Sequence, residues 1–492
     1  MIKRLCLLAI FWTLGCAAQP MPLWRAVQDQ QRAAEELTQH LSLLSAANVS
    51  PQFYSLHQNL EAPDLSMEER DRLLLLGFQL IEEFHRQLSE RPPGADGLGG
   101  APFLLMVPEG GEYPVLKAAE QGRLEQRVRE LAPDSVQYRM ARQRVIELMA
   151  LESLVWPEFG KAPLLEPGDR HPQIAELRWV LKQLGDYQGQ VNGDHYDDEL
   201  LDSVQGFQRR HGLAADGVVG PRTRAWLRVS PRVRAQRLAR NTLRQWHDRS
   251  RFADSYLLVN IPEYRLSWVT PTGERFSTRV IVGRNSRRTP RMTTEVVSLV
   301  VNPSWNVPRS IIWRDLLPKI RLSGDYLAKQ RFDAYNRQGE PVQYSADQWQ
   351  QAATGRFPYR LSQRPGDDNA LGRYKFHLTN SKAIYLHDTP DKQLFDRSRR
   401  ALSSGCVRVE GADLLARQLA FEGEVDLKRF NHARGLGETR WFRLKRPLPV
   451  YMVYWSAWVA DNGVAHYRKD IYHQDGDMDH KNAIAMRSTF GR

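Results

Sequence analysis

The hydrophobic period of this chain changes near residue 250, and that change most limits what it can fold into. Before it, apolar residues recur at helical spacing. From Ser255 they fall in short runs rich in branched and aromatic residues. Helix-period and strand-period regions need separate cores, and 492 residues are enough for about three. The pattern predicts a multidomain α+β chain: a helical N-terminal scaffold, a small three-helix domain, and a mostly-β domain with an inserted capping subdomain.

The scaffold is expected over residues 20–165. Ser66-Met67-Glu68-Glu69 reads as a capping box, and Leu73, Leu76, Leu80, Ile81 and Phe84 line one helix face behind it. Arg91 to Pro108 is rich in Gly and Pro and breaks that helix. Leu116 to Ser153 predicts a second helical stretch. Residues 166–228 form a compact unit with Ile174, Leu177, Leu181 and Leu184 on one helix and Leu200, Val204 and Phe207 on the next. Gly220-Pro221 suits the start of a third, because proline tolerates the first helical position. Residues 231–250 read as a basic linker helix.

The strand-rich domain is expected over 255–475. Tyr256 to Ile261, Arg265 to Val269, Val280 to Gly283 and Val296 to Val301 are strand-like, with a turn at Thr270 to Gly273. Residues 309–368 interrupt the pattern with helix-like segments at Ile312–Lys319 and Ala346–Ala353, an insertion placed to cap a cleft. Asn462-Gly463, between Pro449–Val459 and Val464–Tyr472, signals a hairpin.

Cysteine is scarce, with three residues: Cys6, Cys16 and Cys406. That excludes a disulfide-dense scaffold and a CxxC-type zinc site. Asp475 to Asp479 superficially suggests a calcium loop but lacks the glycine and glutamate such a loop needs, so no metal and no cofactor are expected. Lys3 and Arg4, the apolar run Leu5 to Gly15 and the small residues Cys16 to Ala18 read as a secretory signal over residues 1–18. The run is too short to span a bilayer, which takes roughly 20 residues. Cleavage near Ala18 and lipidation at Cys16 remain alternatives. Either way Cys6 is lost and Cys406 is the thiol of the folded part. A net charge of +12 suits an anionic polymer, and export argues against nucleic acid.

A lone thiol in an exported protein draws attention to its neighbours. It needs a base or a cation nearby to react near neutral pH, since a free cysteine has a pKa of roughly 8.5. His387 is a candidate base from a separate element, with His377 its rival. Gly405 allows close backbone approach beside Cys406, and on a strand Arg408 would share a face with it.

The segments Tyr385-Leu386-His387-Asp388-Thr389-Pro390 and Ser403-Ser404-Gly405-Cys406-Val407-Arg408 resemble the catalytic motif of L,D-transpeptidases with a YkuD-type domain. Many members have histidine where this chain has Ser404, which leaves the base role to His387. Pro303 to Pro308 with Trp305, Phe395 to Ser398, and the domain order resemble the large YcbB-type branch. Leu181, Gly185, Tyr196, Phe207-Gln208, Asp216-Gly217, Gly220 and Thr223 resemble a three-helix peptidoglycan-binding domain.

The resemblance implies a periplasmic enzyme that acts on peptidoglycan stem peptides and glycan. Cys406 would attack the carbonyl of the third stem residue, diaminopimelate, and release D-alanine. Another stem's amine would then close a 3→3 cross-link. His387 would be the general acid and base, with backbone donors at Gly405 and Cys406. Tyr385, Thr389, Ser403, Ser404, Arg408 and Trp305 would bind or orient substrate. Carbapenems are implied as inhibitors and other cell-wall synthesis proteins as partners. L,D-carboxypeptidation, attachment of a lipoprotein to the wall, and non-catalytic wall binding are the competing readings.

Overall fold

A computed structural model describes residues 23–25, 27–92, 97–107, 114–159 and 163–476. The signal segment, with Cys6 and Cys16, lies outside the described residues. The chain divides into two compact units, one of the residues up to Ser250 together with those from Trp455, the other Arg251–Tyr454. Among the described residues no helix is long and apolar enough to cross a membrane.

The first unit is built on helices α1 (Gln28–Ala47), α2 (Pro51–Leu60), α3 (Met67–Ser89), α4 (Pro114–Glu120), α5 (Leu124–Arg129) and α6 (Val136–Ala150). The capping box opens α3: Glu69 N donates to Ser66 Oγ at 3.2 Å, and Ser66 N to the Glu69 carboxylate at 3.3 Å. Leu73, Leu80, Ile81 and Phe84 are buried and Leu76 is half-buried. The stretch 116–153 is three helices rather than one, because Gly122 turns left-handed and Pro133 interrupts the chain again.

Helices α7 (Gln173–Gln183), α8 (Asp198–Arg210) and α9 (Pro221–Leu227) follow the predicted spacing, with their apolar stripes buried against one another. Asp197 caps α8 and pairs with Arg178 of α7 at 2.5 Å. Gln208 holds the loop before α9 by donating to Asp216 Oδ1 and Val218 O.

Helix α10 (Pro231–Arg249) is not a solvated linker. Twelve of its residues are buried, four of them arginines or histidine. Their side chains are satisfied inside: Arg234 donates to Val229 O at 3.0 Å and to His211 Nε2 at 2.8 Å, and Arg240 to Ala47 O at 2.7 Å. A basic composition therefore disguised a core helix. The hairpin forms between Ala457–Val459 and Ala465–Tyr467, but it belongs to this unit and not to the strand-rich one. The reason is a buried polar knot: Ser456 N donates to Asn241 Oδ1 at 2.9 Å, and Arg244 to Asp475 Oδ1 at 3.0 Å.

The second unit carries β1 (Tyr256–Asn260), β2 (Arg265–Thr270), β3 (Gly273–Gly283), β4 (Met292–Val301), β5 (Trp305–Asn306), β6 (Phe332–Tyr335), β7 (Pro341–Val342), β8 (Arg360–Gln363), β9 (Tyr374–Leu378), β10 (Leu386–His387), β11 (Ala401–Ser403), β12 (Val407–Val409) and β13 (Arg440–Val453). Nine of them form one sheet in the order β11-β3-β12-β10-β9-β4-β13-β1-β2, and an added β2–β3 pairing closes it between its last strand and its second. Leu257, Leu266, Val280, Phe376, Leu386, Val407 and Val409 fill its inner side.

The insertion begins earlier than the sequence pattern suggests and contains strands as well as helices. β5, β8, β6 and β7 form a separate four-stranded sheet. A helix runs through a π turn at Ile312–Leu316, and Ile312, Leu316, Leu317, Ile320, Trp349 and Phe357 build a small core. Strands of two to four residues are too short to show alternation, so only the helical segments were legible.

Candidate active site

Strand pairing assembles the site. β10 lies between β9 and β12, with Leu386 opposite Phe376 and Val407, and His387 opposite Lys375 and Arg408. Side chains alternate across a sheet, so Leu386, Phe376 and Val407 face the core. Lys375, His387 and Arg408 share the other face, with Tyr385 and Cys406 two residues back on the same side. Val407 N donates to Tyr385 O at 3.1 Å, which ties those two segments together.

The turn before Cys406 is held from several sides. Ser403 Oγ donates to Cys406 O at 2.6 Å and accepts from Gly405 N at 3.1 Å. Thr289 Oγ1 donates to Gly405 O at 2.7 Å and accepts from Gly283 N at 2.8 Å. Arg287 donates to Ser404 Oγ at 2.8 Å and pairs with Asp315 of the insertion. Gly405 has φ +121°, and a Cβ there would meet Ile384 Cδ1 at 3.3 Å. Gly405→Ala is expected to cost about 1–3 kcal/mol in backbone strain and to displace the thiol. Differential scanning calorimetry together with the rate of thiol alkylation checks this, and both should fall.

The ring of His387 is buried, and its Nδ1 donates to Asp388 O at 2.5 Å. A carbonyl can only accept, so Nδ1 carries the proton and Nε2 is the basic atom. Burial, then the charge of Arg408, push its pKa down to about 3. The imidazole is neutral at rest. The Cys406 thiol is half-exposed, with Sγ 3.8 Å from Ala383 O. Burial of the sulfur pushes its pKa up, against smaller opposing effects of Tyr385, Lys375 and Arg408. On these directions a neutral thiol and a neutral imidazole, rather than a thiolate–imidazolium pair, occupy this face of the sheet.

The remaining predicted residues divide. Tyr385 packs edge-on to His387, ring centroids 5.5 Å apart, and burial followed by Cys406 raises its pKa. Trp305 belongs to the inserted sheet, and its buried indole N–H faces the Tyr385 hydroxyl, which slightly offsets the rise in the Tyr385 pKa. Arg408 pairs with Asp391 at 3.1 Å. Thr389 is buried, accepts from Asp391 N at 3.3 Å, and lines a cavity of about 640 Å³ whose wall includes neither His387 nor Cys406. Ser403 and Ser404 bind the turn itself. Gly405 N is committed to Ser403, which leaves Cys406 N as the donor of that pair. His377 lies exposed against Trp441, ring centroids 5.6 Å apart.

Sequence reasoning missed Arg287, Asp315, Thr289, Asp391 and Lys375. Lys375 carried one usable signal, since it and His377 alternate with the apolar residues of β9. Its Nζ stands 4.3 Å above the centre of the Tyr385 ring.

Residues 254–425 match the family described as "YkuD: L,D-transpeptidase catalytic domain", and residues 170–227 match "Putative peptidoglycan binding domain". A "Putative L,D-transpeptidase" of Haemophilus influenzae is 41% identical over 219 residues, which are 44% of this chain and 44% of that protein. The chain thus spans less than half the length of this relative. Among solved structures, an L,D-transpeptidase from Stackebrandtia nassauensis is 15% identical over 59% of this chain and 94% of its own, with a TM-score of 0.23. One from Xylanimonas cellulosilytica is 14% identical over 60% of this chain and 100% of its own, with a TM-score of 0.19.

Proposed function

We propose, from the match of residues 254–425 to the YkuD L,D-transpeptidase catalytic domain and of residues 170–227 to a peptidoglycan-binding domain, that the chain is a cysteine-dependent peptidoglycan transpeptidase. The observation that carries this reading is the neutral His387, with Nε2 as its basic atom, on the same sheet face as Cys406. As the thiol attacks the carbonyl of the third stem residue, Nε2 takes its proton, and a C–S bond forms. The C–N bond to D-alanine then breaks, and the imidazolium returns the proton to the leaving amine. A second stem's amine attacks the thioester, gives its proton to Nε2, and releases the thiolate, which recovers that proton. Cys406 N supplies a backbone donor to the oxyanion.

The insertion supports transfer to an amine over hydrolysis. It brings Trp305 and Asp315 to the site, from where a bound stem would be shielded from water. The peptidoglycan-binding domain holds the enzyme to its polymer, outside the cytoplasm. Carbapenems, as acylating mimics of the donor, should form an adduct at the same sulfur.

The test is mass spectrometry of purified disaccharide tetrapeptide after incubation with the protein. A dimer lacking one D-alanine is the expected product. Release of D-alanine without a dimer would make the chain an L,D-carboxypeptidase instead.

A further inference from the structure

Lys375 stands directly opposite His387 across the β9–β10 pair, on the face that carries Cys406. It is half-buried, and its ammonium rests on the Tyr385 ring. The other charged groups around the site have partners: Arg408 has Asp391, and Arg287 has Asp315 and Ser404. On the far side β4 offers Val300 opposite Lys375, which brings no charge. Among the described residues Lys375 is left without a carboxylate. Such a cation on a partly dry face invites an anion.

The chemistry at His387 says where that anion belongs. The leaving amine must reach Nε2 to be protonated, and so must the entering amine to be deprotonated. In D-alanine the amine and the carboxylate share one carbon. The attacking amine of diaminopimelate also sits on a carbon that bears a carboxylate. Neighbouring strands are about 4.8 Å apart, so a carboxylate two bonds from an amine at His387 falls toward Lys375. We propose that Lys375 is a specificity-determining residue that receives the α-carboxylate of the D-amino-acid amine, first as it leaves and then as it enters. Burial lowers the pKa of Lys375, and a bound carboxylate supplies the missing counter-charge.

This inference rests on the transpeptidase reading, but its first test needs no turnover. Cys406 is alkylated with iodoacetate and with iodoacetamide, and the rate ratio is normalised to that of free cysteine. The wild type should favour the carboxylate reagent. Lys375→Met should lower the normalised ratio about tenfold, and Lys375→Arg should keep it. In the second test, labelled D-alanine and D-alaninamide compete as acceptors for the tetrapeptide acyl group. The amide's amine is the less basic, so more of it is unprotonated near neutral pH, and a preference for D-alanine must come from the protein. It should be lost in Lys375→Met through a raised KM for D-alanine. A wild-type ratio no higher than that of free cysteine overturns the inference even if a variant fails to fold. So does a ratio unchanged in folded Lys375→Met. An intact alkylation contrast with no acyl transfer to either amine overturns the transpeptidase reading instead.

Discussion

Replacing Cys406 with alanine or serine is expected to abolish turnover, with a loss of at least about 10⁴-fold, and to abolish the covalent carbapenem adduct. Alanine removes the attacking atom. Serine keeps an atom there, but its hydroxyl is far less acidic than a thiol, and a neutral imidazole built for a thiol proton does not activate it to the same degree. The fold should survive either change. The side chain makes only weak polar contacts, Sγ approaching Ala383 O at 3.8 Å and facing Tyr385, and Ser403 and Thr289 hold the turn through backbone atoms. A near-isosteric change that removes no strong hydrogen bond stays within about 1 kcal/mol, which thermal melting can verify. Intact-mass measurement after incubation with a carbapenem is decisive: an adduct that persists on Cys406→Ala places the nucleophile elsewhere.

What the sequence made legible follows what short-range patterns can carry. The capping box at Ser66, the stripes of α7 and α8 and the Asn462-Gly463 turn are local signals, and local hydrogen bonds satisfy them. The burial of α10 was hidden because Arg234, Arg240 and Arg244 read as solvent-facing until their carbonyl, histidine and Asp475 partners arrive from distant segments. The domain boundary near Tyr454 was hidden for the same reason, since Ser456 and Asp475 are claimed by α10.

The site divides along the same line. Cys406, His387 and Gly405 sit in compact motifs. Lys375 is separated from His387 by a loop and meets it only through strand register, while Asp315 reaches Arg287 from the insertion. Arg408 illustrates a limit of motif reading: its place beside Cys406 followed from strand alternation, but its pairing with Asp391 did not. Among the described residues that pairing leaves Lys375, not Arg408, without a carboxylate partner on this face.

Replacing His387 with glutamine is expected to slow acylation by substrate and by β-lactam about 10²–10⁴-fold, the usual value of general acid–base assistance. Glutamine can still donate to Asp388 O, so the loss reports the missing base and not a collapsed loop. The pH dependence separates two mechanisms. With its pKa pushed down to about 3, His387 stays neutral across the working range. Wild-type acylation should therefore run nearly flat from about pH 5.5 to 7.5, without the inflection that an ordinary histidine gives near pH 6.5. In His387→Gln the remaining route is the spontaneously formed thiolate. Because burial raises the thiol pKa, that rate should climb about tenfold per pH unit over the same range. His377→Gln is the control, exposed against Trp441 on the same face, and should behave as wild type. An inflection near pH 6.5 in the wild type that vanishes in His387→Gln would replace the neutral base with a thiolate–imidazolium pair. A dead His377→Gln beside an active His387→Gln would move the base two strand positions along β9, to the residue next to Lys375 on the same face, and the proton path through Nε2 of His387 would be wrong.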